Sequence, residues 1–133
     1  MERTYIMLKP DAIRRGLAGH IISRIEAKGY RIVEIKSMML TSEILKAHYS
    51  HLLDKPFYQE IETFMMSGPV WGMIVEGEGV IAGMRAMMGP TKIEDAPAGT
   101  IRGDLAFSTS ENIIHGSDSP ETAAIEIKRF FMV

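Results

Sequence analysis

Four apolar residues in a row, Tyr5-Ile6-Met7-Leu8, read as a short buried strand. Lys9-Pro10-Asp11 ends it, because proline cannot donate within a central ladder. Ile13, Leu17, Ile21, Ile22 and Ile25 then recur at helical spacing and predict a helix to about Lys28, with Gly29 as its stop. From Tyr30 to Leu40 the period returns to two. Val33 and Ile35 share one side and Glu34 and Lys36 the other, so this strand is half exposed. Thr41 or Ser42 caps a short helix through Ile44, Leu45, His48 and Tyr49, which Leu53-Asp54-Lys55-Pro56 breaks. Phe57, Tyr58, Ile61, Phe64 and Met65 mark the apolar face of another helix, and Ser67-Gly68-Pro69 is a turn. Val70 to Val75 is almost wholly apolar, the pattern of a strand buried on both faces. Gly77 and Gly79 lead into a helix whose inner face is Val80, Ile81, Met84, Met87 and Met88. No period is convincing from Gly89 to about Gly103. Asn112 to about His115 is the last strand, and Ala123, Ala124, Ile127, Phe130 and Phe131 face the core from the final helix.

This order is β-α-β, a helical pair, β-α, a loop and β-α. It predicts an α+β fold, a ferredoxin-like βαββαβ sandwich with a four-stranded antiparallel sheet and helices to one side. A chain of 133 residues is expected to form a single domain with a real core. A net charge of −2 gives no basic footprint for nucleic acid or for a membrane surface. The absence of cysteine removes thiolate nucleophiles, disulfides and zinc-thiolate sites together. With no signal pattern and no membrane-length apolar run, the expected placement is cytoplasmic.

The chemistry concentrates in Asn112-Ile113-Ile114-His115-Gly116-Ser117-Asp118-Ser119. Two apolar β-branched residues lead into a histidine, and Ser119 (N-cap) and Pro120 (first helical position) start a helix. A helix N-terminus attracts anions, so an imidazole held beside one points to phosphate chemistry; the alternative is a surface histidine in a turn. Lys9, Arg85, Thr91, Lys92 and Arg102 fall at element ends or in the long loop, where cations could stabilise a phosphoryl group in transit. Each alone reads as solvated surface. A histidine with an ordinary pKa of about 6.5 keeps a nucleophilic nitrogen free at pH 7. Glu126, at the margin of the last helix's apolar face, is placed to fix its tautomer. Other patterns carry less. Gly77 to Ala82 fits G-x-G-x-x-A after a strand, but Glu94 and Asp95 lie in a Pro-rich loop with no strand before them, against a dinucleotide fold. There is no P-loop motif. His48 and His51 have no partner at metal-ligand spacing, and they and His20 read as structural or surface residues.

The stretch Asn112 to Ser119 resembles the active-site signature of the nucleoside diphosphate kinases. The likeness extends to Thr4 through Asp11, His48-Tyr49, Lys55-Pro56-Phe57 and Gly99 through Asp104, in the same order. It implies a ping-pong exchange in which a nucleoside triphosphate, usually ATP, phosphorylates His115 and a nucleoside diphosphate then takes the group. It further implies that Arg85, Thr91 and Arg102 bind phosphates and that Lys9 and Asn112 bind sugar hydroxyls, Lys9 also assisting the transferred group. Tyr49 would lie beside the histidine, Ser117 and Glu126 would steady it, and Phe57 would stack on the base with Ile61 nearby. For Phe57, core packing stays open as an alternative. Mg²⁺ would ride on the nucleotide phosphates, with no dedicated protein cage. A hexamer or tetramer is implied. Ile93 and Ala98 stand where the family usually has proline, and the chain ends at Val133 without the extension many members carry, so easier subunit dissociation is expected. Two other classes compete: a ferredoxin-like module that senses nucleotides without turnover, and a phosphocarrier protein charged by a partner.

Overall fold

The computed structural model describes residues 1–131; the chain's end at Val133 lies outside them. The elements run β1 (Arg3–Leu8), α1 (Pro10–Arg14), α2 (Ala18–Lys28), β2 (Arg31–Met38), α3 (Ser42–His48), α4 (Tyr58–Met65), β3 (Val70–Glu76), α5 (Val80–Met88), α6 (Ile101–Leu105), β4 (Ile114–Gly116) and α7 (Pro120–Phe131). The strands form one sheet in the order β2-β3-β1-β4, antiparallel throughout. β1 and β2 are consecutive in the chain, yet β3 lies between them. That is the split βαβ arrangement of a ferredoxin-like α+β fold.

Helices cover both faces of the sheet, not one. Along β1, Ile6 and Leu8 enter a core with Ile21 and Ile25 of α2 and Met84 and Met88 of α5. Tyr5 and Met7 point the other way, to Leu45 of α3, Met65 of α4 and Phe130 of α7. A strand apolar at every position needs cover on each side, so the Tyr5-Ile6-Met7-Leu8 run already contained this result. The Tyr5 and Phe130 rings stack with centroids 4.7 Å apart, fixing α7 against β1.

Local signals set most boundaries. Gly29 adopts φ 103° and closes α2. Thr41 caps α3 by accepting the Ile44 N–H at 3.2 Å, and Ser119 caps α7 by accepting the Thr122 N–H at 3.1 Å. Three expectations are corrected. The first helix is two, broken at Gly16, which sits at φ 70°. Pairing in β2 passes from Ile32 opposite Val75 to Glu34 opposite Ile74. Val33 is therefore a bulge that interrupts the alternation, and Ile35 is exposed. The featureless loop holds α6, capped where the Thr100 hydroxyl accepts the Gly103 N–H at 2.9 Å. The glycines of the G-x-G-x-x-A run serve packing and the turn: a Cβ on Gly77 would meet the Tyr30 ring at 2.5 Å, and Gly79 sits at φ 60°.

Candidate active site

His115 lies on β4, paired with Met7 of β1, and projects to the face that α3 and α7 cover. Its strand begins from a strained residue. Ile113 holds φ 63°, and the Ile114 N–H reaches back two residues to the Asn112 carbonyl at 2.8 Å, a γ-turn. A β-branched residue in that region costs about 1–3 kcal/mol and persists only where its surroundings enforce it. Here they do. The Lys9 N–H donates to the Ile113 carbonyl at 2.9 Å. Arg102 donates from Nε to the Asn112 carbonyl at 3.3 Å and from Nη2 to that of Ile114 at 2.5 Å.

His115 Nε2 meets Glu126 Oε1 at 2.9 Å. The same oxygen accepts the Ser117 hydroxyl at 2.7 Å, and Ser117 Oγ in turn accepts the Tyr5 N–H at 3.3 Å. Burial alone would raise the Glu126 carboxyl. The hydrogen bonds from His115 and Ser117, with the charge of His115, outweigh it and hold the group below the usual carboxylate range. An ionised carboxylate accepts, so it takes the Nε2–H of His115 and leaves Nδ1 with the lone pair. Among the described residues Nδ1 has no hydrogen-bond partner.

The ring borders a polar recess of about 670 Å³ that also takes in Arg85, Thr91, Arg102 and Asp118. Lys9, Tyr49, Thr91 and Asn112 line this recess and a second, more apolar one of about 640 Å³, so the two are ends of one cleft. Phe57, Ile61 and Phe64 line the apolar end. Phe57 is 44% exposed, which disposes of core packing as its role. Lys9 Nζ donates to Asn112 Oδ1 at 2.7 Å. Burial, helped by Arg102 and opposed by Asp11, pulls the Lys9 ammonium down to about 8. Burial and Arg85 likewise lower Arg102 to about 10, still charged at neutral pH. Arg102 also donates to the Gly89 carbonyl at 2.9 Å, and Arg85 to that of Gly116 at 3.3 Å, so both guanidiniums brace the backbone around the cleft they line. Ser117 stands behind the histidine, buried. Lys92 does not border either end of the cleft. At the altered loop position, the Ile93 N–H donates to Thr109 Oγ1 at 3.3 Å, a bond a proline could not make.

One residue read as lacking partners has them. His48 is buried, its ring edge-on to that of His115 at 81° with centroids 4.8 Å apart. Its Nδ1 lies 3.7 Å from Glu126 Oε2 and accepts from Arg129 Nη1 at 3.0 Å. The signal was available: His48 follows Ile44 and Leu45 at the spacing of one inward face, and Arg129 stands one helical turn after Glu126. Ligand atoms of His48, His115 and Glu126 lie within 4.8 Å of one another, but the Arg129 guanidinium on His48 opposes a cation there.

A nucleophilic nitrogen at the cationic end of a cleft, with an aromatic slot at the other, defines a group-transfer enzyme for an anion that carries a flat body. Residues 2–133 match the family model described as nucleoside diphosphate kinase. The chain is 53% identical over 131 residues to the nucleoside diphosphate kinase of Moorella thermoacetica, covering 98% of this chain and 94% of that one. It is 51% identical to that of Deinococcus radiodurans, at 98% and 95% coverage. Among solved structures, the apo enzyme of Encephalitozoon cuniculi superposes with TM-score 0.95 at 46% identity, covering 98% and 89% of the two chains. The Halobacterium salinarum enzyme in complex with CDP gives 0.94 at 42%, covering 98% and 87%. This chain belongs to the nucleoside diphosphate kinase family and is a phosphotransferase.

Proposed function

We propose that His115 is the phosphoryl carrier of this kinase and that Nδ1 is its attacking atom. The observation that carries this is the engagement of Nε2 by Glu126 at 2.9 Å while the ring borders the cationic cleft. The Nδ1 lone pair attacks the terminal phosphorus of a nucleoside triphosphate, and the bridging P–O bond breaks with its electrons leaving on the diphosphate. A terminal phosphate oxygen of a second nucleoside diphosphate then attacks the same phosphorus, and the N–P electrons return to Nδ1. The Nε2 proton stays on the ring, held by Glu126, which stabilises the positive charge that phosphorylation develops.

Arg85, Thr91 and Arg102 bind the phosphates at the polar end. Lys9 and Asn112 take the sugar hydroxyls, with Lys9 near enough to assist the transferred group. Tyr49 borders both ends of the cleft and lies beside the histidine and phosphate. The base stacks on Phe57, with Ile61 beneath. Stacking tolerates any base, because every base has a π-face, which suits an enzyme that exchanges phosphoryl groups among nucleotides. Mg²⁺ enters as part of the substrate. The polar recess is rich in cations, and besides Glu126, which holds the histidine, only Asp118 lines it as a carboxylate among the described residues. That lining fits a metal borne on phosphates better than one caged by the protein. Among the described residues no helix is long and apolar enough to cross a membrane. We place the enzyme in the cytoplasm as a homo-oligomer, a hexamer or tetramer, folded as one domain over residues 1–133.

The test is to mix the protein with terminally radiolabelled ATP and Mg²⁺, remove nucleotide, and challenge the labelled protein with acid, with base and with unlabelled GDP. Acid-labile, base-stable label that moves to GTP is expected. No label with nucleotide still bound favours a sensing module, and label that GDP cannot remove favours a phosphocarrier.

A further inference from the structure

We infer that Arg129 is a positioning residue for the transfer step: by occupying the Nδ1 lone pair of His48, it reserves the Glu126 carboxylate for His115 and Ser117. The inference rests on His115 being the phosphoryl carrier.

A guanidinium has only donors, so the nitrogen it meets at 3.0 Å must offer a lone pair. His48 therefore carries its proton on Nε2. Its charged form is disfavoured as well. Burial, then the charges of His115, Arg129 and Lys9, push its pKa down to about 3, with Glu126 pulling the other way. The groups facing this ring are thus Lys9 after β1, His115 on β4, Tyr49 beside it, and Glu126 and Arg129 on α7.

Without Arg129 the arrangement has a competitor inside it. Nδ1 of His48 lies 3.7 Å from Glu126 Oε2. The other tautomer would place a proton there, and a shift of under about 1 Å would make a hydrogen bond. Two imidazoles would then share one carboxylate. Because the two rings meet edge-on at 4.8 Å, a His48 that moves toward Glu126 also presses on the ring that must stay aligned. Arg129 is half-buried and stands one turn after Glu126. One helix face therefore supplies both the carboxylate that orients His115 and the cation that keeps the second imidazole off it.

The experiment uses Arg129→Leu and Arg129→Gln, whose amide N–H can still donate to Nδ1. Long-range ¹⁵N–¹H spectra of the histidines report which ring nitrogen is protonated. Single-turnover phosphorylation by ATP, followed across pH, reports the chemical step. The unmodified protein should show His48 in the Nε2–H form. Arg129→Leu should lose that form and phosphorylate about tenfold more slowly, the scale on which groups that orient an active-site ligand act. Its KM for ATP should stay near that of the unmodified protein, and the glutamine variant should recover most of the rate. Placed on His48→Asn, Arg129→Leu should cost nothing further. An Nδ1–H form of His48 in the unmodified protein overturns the inference. So does an unchanged rate in Arg129→Leu, or an equal cost with and without His48. Failure of the unmodified protein to form an acid-labile phosphoenzyme overturns instead the assignment of His115, while the tautomer spectra still report on Arg129.

Discussion

The apolar end of the cleft, where we place the base, is open. Phe57 stands 44% exposed just before α4 and with Ile61 and Phe64 makes an apolar slot, with Glu60 and Glu111 also lining that end. The polar end, where we place the phosphates, is tightly bonded. His115 Nε2, Ser117 Oγ, Glu126 Oε1, Lys9 Nζ and three nitrogens of Arg102 each have a hydrogen-bond partner within 3.3 Å. A buried polar group left unpaired costs about 1–3 kcal/mol, so such a cluster folds only when its members satisfy one another. Satisfying one another also fixes them in place, which is what stabilising a moving phosphoryl group requires. On the proposed function, one molecule thus joins a permissive surface for the part of the substrate that varies to a rigid cradle for the part that never does.

Breaking the rigid end should cost most. His115→Ala is expected to lower phosphotransfer by on the order of 10⁴-fold or more, as loss of a covalent nucleophile does, while ATP still binds. Single-turnover assay and equilibrium binding read the two separately. Retained turnover would sink the assignment of the carrier.

The next effect is a matter of pH. Lys9 is half-buried in the cleft wall, and the loss of water around it pulls its ammonium down to about 8. The cation is present at neutral pH and lost as pH rises through that value. kcat/KM, which reports the free enzyme, should therefore fall about tenfold per pH unit above roughly 8. Lys9→Arg should be slower overall, since the fork does not match an ammonium, but should lack this limb because arginine stays charged. A limb unchanged in the arginine variant would assign it to another group.

The permissive end should respond more gently. Phe57→Ala is expected to raise KM by about 5- to 150-fold, the equivalent of the roughly 1–3 kcal/mol a base stack contributes. Every base should be affected, and kcat little changed. The melting temperature should hold, because the ring is exposed. A loss confined to one base would mean that this end reads base identity after all.

The same contrast governs what could be read from the sequence. β3 follows from its unbroken apolar run and α7 from helical spacing because burial imposes both, and Gly29, Thr41 and Ser119 act through their own backbone needs. α6 is five residues long and makes too little of a period to detect. The bulge at Val33 depends on how β3 pairs, which no local pattern in β2 records. At the site, the signature stretch and the facing Glu126 were legible because the chemistry demands an imidazole and something to orient it. The spacing of His48 after Ile44 and Leu45 marked it as inward but not what it meets there, because a histidine on an apolar helix face looks the same whether its neighbour is a leucine or the His115 ring. Phe57 was ambiguous for a like reason, since an aromatic at helical spacing carries no mark of which way the helix faces.

The smallest effect sharpens the comparison from beneath the rigid end. Asp11 in α1 is buried, and among the described residues neither carboxylate oxygen has a hydrogen-bond partner. Burial raises its pKa, only partly offset by backbone N–H groups and by Lys9. A carboxyl whose folded pKa lies above its unfolded value binds more protons in the folded state. Stability therefore falls as pH rises from the unfolded value near 3.9 through the folded one. Asp11→Asn keeps the shape without the charge, so it should be more stable at pH 7 by about 1 kcal/mol, with the gain shrinking toward pH 4. It should also carry a functional penalty. Asp11 is the negative charge that supports the Lys9 ammonium, and without it the alkaline limb should move to lower pH. Urea titrations at the two pH values and the kcat/KM profile read both effects in one variant. A variant less stable at pH 7 would show that the attraction between Asp11 and Lys9 outweighs the burial of the carboxylate. The acid would then belong to the rigid end's bonding and not to its strain.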